Sequence, residues 1–206
     1  MTFNGSNRNS PANSSVHYQA PDAHQQIVVA IRSRLPVSAA TPIVIVCIGT
    51  DRSTGDALGP LVGMHLKKRC LFGTTVRGTL DDPVHAVNLE DTMANIYRHS
   101  AVAPFVIAVD ACLGRCENIG KICVSDGPVY PGAGVNKKLL PIGDMNVTGI
   151  VNVGGFMEYS VLQNTRLSLV MQLSVTISRA LAFAVVPRAK ESLPLPELKP
   201  VSGLKR

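Results

Sequence analysis

Two short stretches of the chain are apolar at nearly every position. Residues 43–48 read Ile-Val-Ile-Val-Cys-Ile, and residues 104–110 read Pro-Phe-Val-Ile-Ala-Val-Asp. Runs this short and this rich in β-branched side chains predict strands covered on both faces. Between them the period changes. From near Asp56 the apolar positions Leu58, Leu61, Val62 and Leu66 recur at helical spacing, and Gly73 closes the pattern. Residues 74–77 follow as a short strand and 78–83 as a turn. Asp82 is placed to cap the next helix, with Pro83 at its first position and Ala86, Leu89, Met93 and Ile96 facing inward as far as Tyr97. A helix over 26–35 precedes the first strand. Strands over 121–125 and 147–153 come later, separated by a Gly/Pro-rich loop over 126–138. A long helix runs from about Phe156 to Ala184, with Pro187 as its stop.

Strands that alternate with helices in this way predict an α/β protein, a three-layer α/β/α sandwich around a mostly parallel sheet. The 206 residues, 46% of them hydrophobic, suit a single domain over 24–186. Residues 1–23 are rich in Asn, Ser, Pro, His and Gln and read as a disordered tail. Residues 187–206 alternate Pro, Leu, Lys and Glu without a core face and read as a mobile tail.

The net charge of +6 lies largely in the tails and in Lys67-Lys68-Arg69, where the C-terminus of a helix also favours cations. Aromatics are only 4% and Trp is absent, so the chain lacks a base-stacking surface and direct nucleic-acid binding is not expected. The five cysteines form no CxxC pair, which argues against zinc and for reduced thiols in a cytoplasmic protein. The N-terminus has no apolar signal core. The apolar stretch 167–186 is interrupted by Gln172, Ser174, Thr176, Ser178 and Arg179, so it reads as a core helix and no membrane is expected.

The candidate chemistry lies where the two apolar strands end. Asp56 follows the first, at a helix N-terminus, and Asp110 terminates the second. Neighbouring parallel strands lie about 4.8 Å apart, so both carboxyls would reach one crevice beyond the strand ends, where open α/β sheets bind ligands. Two carboxyls that close share a proton, which is the arrangement aspartic-type amide hydrolysis requires. The helix N-terminus would favour the anionic form of Asp56. Three other roles fit the same residues: a cap for Asp56, a loop-amide acceptor for Asp110, or a phosphate cradle made by Gly49-Thr-Asp-Arg-Ser-Thr-Gly55. The last matches neither a dinucleotide fingerprint nor a P-loop. His65, His85 and His99 lack metal-ligand spacing, and no Gly-x-Ser-x-Gly occurs.

Three ordered motifs carry a resemblance to known proteins. They are Gly49 with Asp56-Ala-Leu-Gly-Pro60, then Val106-Ile-Ala-Val-Asp110-Ala, then Pro131-Gly-Ala-Gly-Val135 with Lys137. In order and spacing they resemble the spore germination proteases. With Gly78-Thr-Leu-Asp-Asp-Pro-Val-His85 added, the chain resembles the YyaC-type sporulation proteins of endospore-forming bacteria more closely still. The resemblance spans about residues 40–185. It implies the fold shared by the germination and hydrogenase maturation proteases, with Asp56 and Asp110 as catalytic residues. It also implies a protein or peptide substrate, with small acid-soluble spore proteins as the class suggested, and a place in the mother cell or forespore. The Gly132, Gly134 and Val135 loop would supply substrate-binding or oxyanion amides. Hydrogenase maturation proteases carry a His before a Thr-Gly and read bound nickel. Here Asn146 stands in that place, so no metal and no cofactor is expected. A catalytically silent binding or assembly protein of sporulation is the alternative, and self-association into a homo-oligomer stays open.

Overall fold

The computed structural model describes residues 14–131 and 140–191, the last five of these by backbone alone. Six strands form one sheet in the order β1-β5-β6-β4-β2-β3. The central block is parallel: β3 (Thr74–Arg77) on β2 (Ile43–Cys47), β2 on β4 (Phe105–Gly114), and β4 on β6 (Met145–Val153). β5 (Lys121–Asp126) joins β6 antiparallel, and β1 (Ser14–His17) joins β5 antiparallel at the edge. The expected parallel core is present, extended on one side by two antiparallel strands.

Helices cover both faces. On one, Ile43, Ile45 and Cys47 of β2 and Ile107 and Val109 of β4 are buried against α1 (Ala23–Arg32), α2 (Leu58–Lys67) and α5 (Leu167–Glu191). On the other, Val44, Val46, Val106 and Ala108 pack with Leu89, Met93 and Ile96 of α3 (Leu89–Arg98). This accounts for the unbroken apolar reading of β2 and β4, since alternate side chains enter two separate cores. Each fully enclosed Ile or Leu contributes about 1.5–3 kcal/mol relative to exposure.

Four expectations are corrected. Ser14–His17, placed by composition in a disordered tail, is an edge strand in register with Lys121–Val124. The helix expected from Pro83 begins at Leu89 instead. Val84 is taken into the sheet beside Ile48, and Asn88 holds the bend before the helix, accepting from the His85 amide and donating to the Pro83 carbonyl. The long C-terminal helix is two: α4 (Glu158–Gln163) and α5. They part near Thr165, a buried residue whose hydroxyl donates to the Val161 carbonyl and accepts from Asn152 of β6. Finally, α5 continues past Pro187. By length and composition Leu167–Val186 could cross a membrane, but Val170, Leu173, Ile177, Leu181 and Ala184 are buried in the core.

Candidate active site

The chain leaves β2 toward α2 on one face of the sheet, while the return from β3 to β4 carries α3 across the other. Connections that diverge from adjacent strands leave a crevice beyond their carboxyl ends. Ile48, Gly49 and the loop to α2 lie on one side of it, and the end of β4 on the other. The amide of Gly49 donates to Val84, so the segment after β3 walls the β2 side.

Gly49 makes the first turn possible. Its φ is +144°, and a Cβ there would collide with the Asp56 carbonyl. Thr50 donates its amide to that same carbonyl, which folds the loop back on itself. Gly59 lies against the Ile48 carbonyl in a contact that no larger residue permits. The far end of the loop is tied to α4, because Gly55 donates its amide to Leu162. Asn152 in turn binds the Val161 carbonyl and the Thr165 hydroxyl, each at 3.2 Å, fixing α4 to β6. Asp56 therefore rests on a loop anchored at both ends.

Asp56 is not a helix cap. The cap position of α2 is Ala57, and no side chain bonds to the helix end. Burial raises the Asp56 carboxyl above its ordinary range, the opposite direction to the one expected of a helix N-terminus. The enclosed Ser53 hydroxyl lies close and opposes the rise, although its Oγ has no well-aligned hydrogen-bond partner. Sequence reading did not single out Ser53. The signal available was its place three residues before Asp56 in a loop otherwise made of turn residues.

Asp110 does not end its strand as expected, because β4 runs on to Gly114; it lies on the α3 side of β4, in line with Val106 and Ala108 and opposite Thr148 of β6. One carboxyl oxygen accepts the amide of Ala111 at 2.8 Å. Burial dominates its protonation. It carries the group from 3.8 to about 8, the Ala111 bond opposes the rise, and the charge of Asp56 adds to it. The two carboxyls thus stand within electrostatic reach of each other. Among the described residues neither has a cation partner; the ion pair found there joins Arg34 to Asp126. Cys112, two residues on, is pushed up to about 12 by burial, with the Thr148 hydroxyl opposing.

Gly132, Gly134 and Val135 lie outside the described residues. The stem of their loop leaves the sheet at the other end of the strands from Asp110, where Asp126 pairs with Met145, and Val129 and Ile142 lie on the α3 side. Asn146, which stands where the His was expected, is buried, and its side-chain amide donates to the Gly127 carbonyl at 3.0 Å. Among the described residues no group of three or more His, Cys, Asp or Glu is arranged to hold a metal ion.

A solved structure with a similar fold is the [NiFe] hydrogenase maturation protease HycI from Thermococcus kodakarensis KOD1. It has a TM-score of 0.53 at 19% sequence identity, covering 75% of this chain and 97% of that one. In sequence, the chain is 56% identical over 162 residues to the uncharacterized protein YyaC of Bacillus subtilis (strain 168), covering 78% of each. The model of DUF1256, described as a protein of unknown function, matches residues 15–180, and the chain belongs to that family.

Proposed function

We propose that the chain is an aspartic-type endopeptidase that uses Asp56 and Asp110 as a proton-sharing pair. The observation that carries this reading is the carboxyl of Asp110, raised to about 8 at a switch-point crevice and sensing the charge of Asp56, with no cation paired to either acid among the described residues. A protease-like fold supports it. The likeness to YyaC, together with the motif resemblance to germination proteases, points to sporulation and to small acid-soluble spore proteins as substrates.

At neutral pH the pair holds one proton, on Asp110. Asp56 takes a proton from water as the water oxygen bonds to the scissile carbonyl carbon, and Asp110 gives its proton to the carbonyl oxygen. The resulting gem-diol collapses. The Asp56 proton passes to the departing amide nitrogen as the C–N bond breaks, and a diol proton returns to Asp110. One water is consumed and the pair regains its single proton. The buried Ser53 hydroxyl is placed to steady the anionic Asp56.

Incubation with a purified small acid-soluble spore protein, followed by mass spectrometry of the products, tests the reading. Cleavage is expected to vanish in both Asp56→Asn and Asp110→Asn, and kcat/KM to fall as the pH rises through about 8, where the shared proton is lost. Cleavage that survives in either variant rejects the pair. Folded, intact protein that cleaves no such substrate favours a silent protease-like binding or assembly protein.

A further inference from the structure

At the opposite end of the molecule from the crevice, the end of α2, α1 and the second half of α5 enclose a groove of about 480 Å³. Leu71, Phe183 and Val186 contribute apolar lining, and Arg69, Arg179 and His24 contribute polar and charged lining. Phe183 is 58% exposed, yet it is held in place: the Arg32 guanidinium lies 5.2 Å above its ring and donates to its carbonyl at 2.9 Å. A large aromatic fixed in solvent by a cation costs burial energy that a partner would recover.

The charges are as unbalanced as the surface. Neither Arg69 nor Arg179 pairs with a carboxylate among the described residues. Their field reaches His65, whose protonation is disfavoured first by burial and then by Lys68, Arg69 and Arg179. The Nε2 of that ring is buried without a partner. Cations crowded around one neutral imidazole, with no anion supplied by the described residues, form a positive field beside an apolar lining.

We propose that this groove docks an acidic peptide segment of a partner protein, one that places a leucine or phenylalanine side chain on Phe183 and carboxylates on Arg69 and Arg179. Charge complementarity selects this occupant. A neutral apolar ligand would leave the arginines unanswered, and a purely anionic one would leave the apolar lining uncovered. The groove is open to solvent, so it suits a chain laid across it better than a small molecule that must be enclosed.

The test is fluorescence anisotropy with the full chain and a short labelled peptide alternating glutamate with leucine and phenylalanine. Binding is expected, weakening with salt and dropping at least about tenfold in Arg69→Glu/Arg179→Glu, the scale of two lost charge-assisted contacts. Both arginines are exposed and in no ion pair among the described residues, so an unchanged melting temperature is expected in that variant. Arg69→Lys/Arg179→Lys should retain most of the binding. Equal binding of a glutamine-for-glutamate or a serine-for-apolar peptide overturns the proposal. So does charge-reversed protein that binds as tightly as wild type, or binding to phosphatidylserine vesicles with none to the peptide.

Discussion

Replacing Asp110 by Asn should stabilise the protein, and the gain should depend on pH in a way that follows from the site. In the unfolded chain the carboxyl ionises near 3.8; in the fold it does so near 8. Below the lower value both states hold the proton and the residue carries no penalty. Between the two the unfolded chain ionises while the folded one keeps its proton, so stability falls as pH rises. Above about 8 both are ionised and the full cost of a buried charge stands. The gap of about four pH units, at ~1.4 kcal/mol each, sets a ceiling of ~6 kcal/mol. Asp110 remains partly accessible at the crevice, so solvent screening and local relaxation reduce this to ~2–3 kcal/mol at pH 7. Asn keeps the shape and the acceptor for the Ala111 amide but cannot ionise. Differential scanning calorimetry should therefore give Asp110→Asn a melting temperature ~5–10 °C above wild type at pH 7, since 1 kcal/mol is about 2–4 °C at this size. The two should converge near pH 4. A difference that stays flat from pH 4 to 8, or an Asn variant less stable than wild type at pH 8, would refute the reasoning.

Gly49→Ala should cost more than ~3 kcal/mol and abolish any cleavage, because a Cβ at φ +144° runs into the Asp56 carbonyl and displaces the loop that carries the acid; circular-dichroism melts alongside a peptide-cleavage assay would show both losses. Thiol labelling with iodoacetamide at pH 8 should modify exposed Cys70 and Cys116 first and leave Cys47 and Cys112 largely untouched, since burial raises both of the latter thiols, Cys112 to about 12. Mapping by mass spectrometry decides it, and rapid labelling of Cys112 would contradict its enclosure.

The apolar runs of β2 and β4 were legible because both faces of each strand are covered, so pattern and burial coincide. Asp110 drew attention as the acid that closes such a run, and Asp56 as the acid just before the helical pattern of Leu58, Leu61 and Val62. Where reading from periodicity failed, a distant contact had overridden a local preference. Asp82-Pro83 is a good helix start, but pairing of Val84 with Ile48 takes that segment into the sheet. Ser14–His17 has no apolar face of its own, yet its backbone is completed by β5. The apolar stretch after Phe156 gives no local sign of a break, because the break is made by Asn152, a residue from another strand, reaching Thr165. Ser53 escaped notice because a hydroxyl in a turn-rich loop has an ordinary local explanation until burial next to an acid is seen.

The fold's treatment of its buried charges is the physical ground on which the proposed peptidase reading is preferred to a silent scaffold. Arg34, 9% exposed, is met by Asp126 at 3.2 Å, so the chain can neutralise a buried ion where structure alone is at stake. At Asp110 it does the reverse: it encloses a carboxyl, gives one oxygen a single amide and sets a second acid within range. A docking scaffold gains nothing from that arrangement, since an amide or an apolar side chain would fill the same space with greater stability. A peptidase requires it, because only a carboxyl that still holds its proton at neutral pH can donate to a carbonyl oxygen while its neighbour takes a proton from water. The stability that Asp110→Asn is expected to recover is thus the same quantity that the proposed reaction uses, and a variant that gains stability while losing cleavage would show the two to be linked through one proton.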